Sequence, residues 1–223
     1  MQEILAKLTQ QFSRNAHDEL ARGMEAYMKN RFVFYGIQAE NRRKIATPFL
    51  LQLRKNYLAD YRDIIWYWWQ QDQREQQYTA LDFLSYTQKL WNEDDVYFIE
   101  QLIVEKSWWD TVDGLATNGM GFLLKKFPHL FQRVRFWAES DNMWLQRTAI
   151  IFQMKYKLQT QQDVLYQNIE MHAHSKEFFI QKAIGWSLRE YAKYNPESVR
   201  QFVQTRDLPA LSIREVKKTL KSL

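Results

Sequence analysis

The chain has 223 residues, 46% of them hydrophobic, which is enough to bury a core and excludes a disordered chain. It has no cysteine, which excludes disulfides, cysteine-based zinc and iron–sulfur centres and thiol nucleophiles. The net charge of +5 is unevenly spread: residues 1–56 carry +5, residues 57–115 carry −8 and residues 116–223 carry +8.

Only 6 glycines and 4 prolines punctuate the chain, so long helices are expected rather than many short strands. The first residues, MQEILAKLTQQF, lack the basic and apolar segments of a signal peptide. They place Ile4, Leu5, Leu8 and Phe12 on one helical face. Leu20, Met24, Tyr27 and Met28 repeat that spacing in the next segment. In ATPFLLQLRKNYL, Thr47 is the expected N-cap of a helix that opens on Pro48. FPHLFQRVRFWAESDN reads as a helix opened by proline and closed by a polar turn, and YNPESV and DLPALSIREV mark two later breaks. No segment alternates in the manner of a sheet. No apolar run approaches the roughly 20 residues that cross a bilayer, so a cytoplasmic location is expected and no membrane partner.

An internal spacing organises the second half. WLQRTAIIFQMKY and FIQKAIGWSLREY match at a shift of 35, which pairs Gln146 with Gln181, Arg147 with Lys182 and Tyr156 with Tyr191. The same shift backwards sets Trp144 on Trp109 and Thr148 on Asp113. That period is close to the roughly 40 residues of a two-helix repeat. An all-α solenoid of HEAT-like repeats over residues 1–223, one domain, is therefore expected, with equivalent positions lining one face.

Two constellations carry possible chemistry. Trp109 and Asp113 share a helix face at i and i+4, and Trp108 is assigned to packing. On spacing alone, Trp109 packs and Asp113 pairs with an arginine of a neighbouring helix. Lys182, Trp186, Arg189 and Lys193 form a continuous basic stripe with one aromatic platform. That stripe fits phosphates, and it equally fits a solvated face around a half-buried tryptophan. Arg42 and Arg43 in ENRRKIA fit a nucleic-acid backbone or a plain solvated helix end. His172 and His174 are read as solvent-exposed, and no metal or cofactor is expected.

MKNRFVFYGIQAENRR, KSWWDTVD, SDNMWLQRTAI and HSKEFFIQKAIGWSLREYAKYNP together resemble the AlkD family of bacterial DNA alkylation-repair glycosylases, in matching order over most of the chain. The resemblance implies a HEAT-like solenoid whose concave basic face holds duplex DNA. It implies hydrolysis of the N-glycosidic bond of cationic alkylated purines such as 7-methylguanine and 3-methyladenine, with the lesion left stacked in the duplex. It assigns Asp113 as the catalytic carboxylate, Trp109 and Trp186 as tryptophans flanking the lesion sugar and phosphate, and Arg147 and Arg189 as DNA-binding arginines of the cleft that hold phosphates. Tyr27 fits a position near the DNA. The segment GLATNGMGF after Asp113 receives no role from it. The expected partner is duplex DNA carrying alkylated purines, and the protein is expected to be a monomer. A non-catalytic repeat scaffold that binds DNA or protein, or an RNA-binding repeat protein, would share the fold without needing Asp113.

Overall fold

The computed structural model describes residues 1–221. Its helices group into two compact units, Met1–Asn92 and a second from Glu93 onward. Among the described residues the only β-type pairing is an isolated bridge between Val33 and Gln73, as the lack of alternating segments led us to expect. The protein has an all-α helical repeat fold. No helix among the described residues is long and apolar enough to cross a membrane.

The first unit contains α1 (Gln2–Arg14), α2 (Asp18–Tyr27), α3 (Ala39–Tyr57), α4 (Tyr61–Gln70) and α5 (Arg74–Thr87). The expected stripe of α1 buries Leu5, Leu8 and Phe12 completely, while Ile4 sits at the margin. Pro48 does not open a helix. It lies inside α3, which begins at Ala39. The residues AENRRKIAT before it are good helix formers, and Pro48 is exposed, so the carbonyl it cannot bond can be solvated. Thr47, the expected cap, instead donates its hydroxyl to the Arg43 carbonyl at 2.7 Å.

The loop between α2 and α3 is held by a buried carboxylate. Glu75, at the start of α5, accepts the backbone N–H groups of Tyr35, Gly36 and Ile37 at 3.0, 2.9 and 3.0 Å. Gly36 has φ of 83°, and a Cβ there would lie 2.2 Å from the His17 carbonyl oxygen, so no other residue fits the turn. Burial pushes the Glu75 carboxyl above its usual range, opposed by those backbone hydrogen bonds.

The second unit contains α6 (Asp95–Val104), α7 (Trp109–Gly114), α8 (Gly121–Lys126), α9 (Gln132–Glu139), α10 (Met143–Ile151), α11 (Gln162–Met171), α12 (Phe178–Tyr191), α13 (Pro196–Thr205) and α14 (Ala210–Val216). The 35-residue spacing is written into its hydrogen bonds. Gln146 Nε2 donates to the Ser140 carbonyl at 2.7 Å, and Gln181 Nε2 donates to the Ser175 carbonyl at 3.0 Å. The hydroxyls of the same two serines accept the backbone N–H of Asn142 and of Glu177, at 3.1 and 3.3 Å. Each repeat thus uses one serine and one glutamine to fix the entry of its second helix.

The glycine-rich segment after Asp113 is a π-helical stretch, Leu115–Met120, that carries α7 directly into α8. Such insertions change the rotational register of a helix and occur often at functional sites. The glycines serve close packing around it. A Cβ on Gly121 would lie 2.5 Å from the Phe152 carbonyl oxygen. Tyr156 also donates its hydroxyl to the Gly121 carbonyl at 2.7 Å.

Candidate active site

Helix α7 starts after Trp108, whose extended backbone (φ −160°, ψ 161°) makes it the N-cap. Trp108 is buried, and its ring packs on Trp144 and Phe179 at centroid distances of 5.6 and 4.9 Å, which bears out its assignment to packing. Trp144 and Phe179 in turn lie 5.1 Å apart. This aromatic cluster ties together the first turns of α7, α10 and α12.

The helix starts also correct the repeat register. Helices α7, α10 and α12 begin at Trp109, Met143 and Phe178. Counted from those starts, Asp113, Arg147 and Lys182 each occupy the fifth position. The sequence spacing had set Asp113 against Thr148 instead. One residue fewer separates the first two helices, and that difference brings Asp113 into line with the cations.

Asp113 and Arg147 meet as a two-pronged ion pair. Arg147 Nε donates to Asp113 Oδ1 at 2.7 Å, and Nη2 donates to Oδ2 at 2.8 Å. The third guanidinium nitrogen, Nη1, donates to the Phe179 carbonyl at 2.5 Å. Arg147 is 3% exposed. The Asp113 side chain keeps 16% of its surface in solvent. The guanidinium also lies 6.0 Å from the Trp186 ring centroid, at the limit of cation–π range. Pairing with an arginine of a neighbouring helix, the plain reading of the spacing, is therefore present. It turns Arg147 toward the carboxylate, so the guanidinium does not face outward as the expected phosphate-holding role requires. With one hydrogen bond to each oxygen, the carboxylate retains acceptor sites on both.

Trp109 and Trp186 are both half-buried, on α7 and α12. Lys182 and Arg189 flank Trp186 along α12, and both reach Glu215 of α14, Lys182 Nζ at 2.6 Å and Arg189 Nη1 at 2.5 Å. Lys193 pairs with Glu190 at 2.6 Å on the surface. Glu215 carried no signal in the sequence, where it is one acid in the basic run IREVKK.

Three further candidates lie in the first unit. Tyr27 is exposed at the rim of an apolar cleft of about 580 Å³ whose lining includes Leu20, Met24 and Phe34. Arg42 contradicts both readings of its tract, since each required exposure. It is buried, with Nη1 2.7 Å from Asp82 Oδ2 and 3.2 Å from the Thr79 hydroxyl. Arg43, the next residue, keeps a mostly solvated side chain 4.0 Å from Asp82.

His172 is likewise buried at the end of α11 rather than exposed as expected, because it follows the buried Asn168 and Ile169 by four and three residues and so continues their face. Burial lowers its imidazole below the usual range, against a hydrogen bond involving the Ala138 backbone. Among the described residues no group of three or more His, Asp or Glu side chains is placed to hold a metal ion.

Comparison with known proteins gives these residues a context. The family model for the DNA alkylation repair enzyme matches residues 8–220. A solved structure described as a predicted DNA alkylation repair enzyme from Enterococcus faecalis superposes with a TM-score of 0.87 and 32% identity, covering 93% of this chain and 98% of that one. A protein from Streptococcus mutans UA159 shares the fold, with a TM-score of 0.61, 16% identity and coverage of 92% and 98%. No curated protein matches. A family match over nearly the whole chain, together with a relative of this identity and coverage, establishes that the chain belongs to the DNA alkylation repair enzyme family.

Proposed function

We propose that the protein is a DNA glycosylase that hydrolyses the N-glycosidic bond of cationic alkylated purines, such as 7-methylguanine and 3-methyladenine, in duplex DNA. The observation that carries this reading is the two-pronged Arg147–Asp113 pair, which presents a partly exposed carboxylate in fixed orientation on the helix face of Trp109. We read the repeats as HEAT-like and Asp113 as the catalytic residue.

The chemistry suits one carboxylate. A purine alkylated at N7 or N3 carries a positive charge and leaves as a neutral base, so no general acid is required. Glycosidases of ordinary sugars need a second carboxyl for that step. As the C1′–N bond lengthens, positive charge develops on the deoxyribose. Asp113, as a carboxylate, stabilises that charge and accepts a proton from the attacking water. Arg147 fixes both oxygens by their inner acceptor sites, so the outer sites face the reaction without reorganisation. Trp109 and Trp186 offer aromatic faces to the cationic sugar. The groups near Asp113 address a sugar and a phosphate rather than a base edge. This favours a lesion that stays stacked, with selection resting on the lability of the cationic bond. Lys182, Arg189 and Lys193 contact the DNA backbone, and Tyr27 and Arg43 of the first unit are further contacts.

The experiment is release of free 7-methylguanine from a methylated duplex. Release by the wild-type protein, lost on Asp113 substitution, supports the reading. Duplex binding with no base released would instead favour a non-catalytic DNA-binding scaffold.

A further inference from the structure

Helices α12 and α14 touch at Gly185. A Cβ there would lie 2.7 Å from the Glu215 Cβ and 2.7 Å from the Ser212 carbonyl oxygen, so only glycine permits the crossing. Ser212 fixes it further by donating its hydroxyl to the Gln181 carbonyl at 2.7 Å. Lys182 precedes Gly185 by three residues and Arg189 follows it by four, so both lie on the crossing face. Glu215 is thereby set between them. Its Oε1 accepts Lys182 at 2.6 Å and Lys218 at 2.7 Å, and its Oε2 accepts Arg189 at 2.5 Å and Lys218 at 2.8 Å. Burial raises the Glu215 carboxyl, but hydrogen bonds and charge from Lys182 and Lys218 outweigh it and hold the group at about 2.

One buried carboxylate thus gathers three cations; Glu190, 3.9 Å from Arg189, adds a second carboxylate and Lys193, paired with it, a fourth cation, so the group keeps a surplus of two positive charges. Lys182 and Arg189 keep part of their surface in solvent, and the Lys218 side chain is 56% exposed. An ammonium has three donors and a guanidinium five, so each cation can bind Glu215 and an external oxygen together. Resting on the DNA-binding reading above, we propose that Lys182, Arg189 and Lys218 form a preassembled clamp for one backbone phosphate beside Trp186, with Glu215 as its positioning residue. Nothing in the spacing of Lys218 or Glu215 along the sequence marks either one. Ordering long cationic side chains before binding removes an entropy cost that a loose basic surface bears at the moment of contact.

The test is the salt dependence of binding to an undamaged duplex, where no chemistry intervenes. Lys218→Ala is expected to lower the slope of log K against log salt by part of the roughly 0.9 that one phosphate contributes, because Lys182 and Arg189 still hold that phosphate, and Lys218→Arg to restore it. Glu215→Gln keeps all three cations, so the slope is expected to hold while affinity at fixed salt falls about tenfold, as three side chains lose their common anchor. Thermal unfolding of each variant reports separately on the packing of α14. An unchanged slope in Lys218→Ala, or equal or tighter binding by Glu215→Gln, would overturn the clamp while leaving the DNA-binding reading intact. A wild-type protein with no salt-dependent duplex binding would overturn both.

Discussion

Replacing Arg147 by alanine removes three hydrogen bonds at once, two to Asp113 and one to the Phe179 carbonyl. The site is nearly closed, with Arg147 3% exposed, so the loss is not made good by solvent at the guanidinium position. Breaking a buried pair by removing one partner costs about 3–5 kcal/mol. Asp113 retains some exposure and can be partly rehydrated, which places the expected destabilisation near the lower end, about 3 kcal/mol. Arg147→Lys keeps the charge but replaces a planar fork by a point, and it should cost about 1–2 kcal/mol. Urea unfolding measures both, and a double-mutant cycle with Asp113→Asn isolates the pair. A coupling energy of at least about 1.5 kcal/mol is expected. Release of 7-methylguanine by Arg147→Ala should fall about a hundredfold, because Asp113 loses its fixed orientation. The salt slope of duplex binding should not change, because the guanidinium is buried against Asp113 and the Phe179 carbonyl and is not open to a phosphate. Additivity within about 0.5 kcal/mol would refute the structural part of this reasoning. A slope reduced by about one would show that Arg147 contacts phosphate directly.

Three other perturbations probe the frame around the site. Glu75→Ala leaves two buried backbone N–H groups, of Gly36 and Ile37, and the part-buried one of Tyr35 without their acceptor, so unfolding free energy should drop by about 3 kcal/mol; a drop under about 1 kcal/mol would mean that the loop is held by other contacts. Gly121→Ala forces a methyl to within 2.5 Å of the Phe152 carbonyl oxygen and should lower stability by about 2 kcal/mol, measured by thermal unfolding, with no loss if the π-helical stretch can shift. The folded-state pKa of His172 is depressed, so its contribution to stability is fully present above the unfolded value of about 6.5 and is lost as pH falls below it. Unfolding free energy should therefore decline from pH 7 to pH 5, and His172→Gln should flatten that decline; an identical pH profile in the variant would exclude His172 as its source.

Much of this arrangement is legible in the residues, and the illegible parts share one physical reason. The stripe of Leu5, Leu8 and Phe12 and the capping prolines at 128 and 196 act locally, and the helices follow them. The 35-residue spacing of Gln146 and Gln181 appears in the structure as the same hydrogen bond made twice. The ion pair of Asp113 could be anticipated as a type of contact, because a carboxylate on a packed helix needs a partner. What spacing does not show is whether a charge faces in or out, since that depends on a partner far along the chain. Arg42 turns inward toward Asp82, and Arg147 toward Asp113. Glu215 gathers residues from two helices, and nothing within IREVKK distinguishes it from a solvated acid. Pro48 falls inside α3 rather than at its start because a proline on the exposed side of a helix is tolerated where its missing bond is hydrated. The π-helical stretch after Asp113 depends on glycines that pack against α6 and on the Phe152 backbone, contacts made by segments distant in sequence.

The central claim is that the carboxylate held by Arg147 performs the chemistry. The most direct test is single-turnover release of 7-methylguanine from a methylated duplex by Asp113→Asn, with binding to the same duplex measured alongside. An amide is close in shape but cannot carry the charge that stabilises the developing sugar cation. Release is expected to slow by about a thousandfold, with affinity within a few-fold of wild type. Release at the wild-type rate by a variant that still binds the duplex would contradict it.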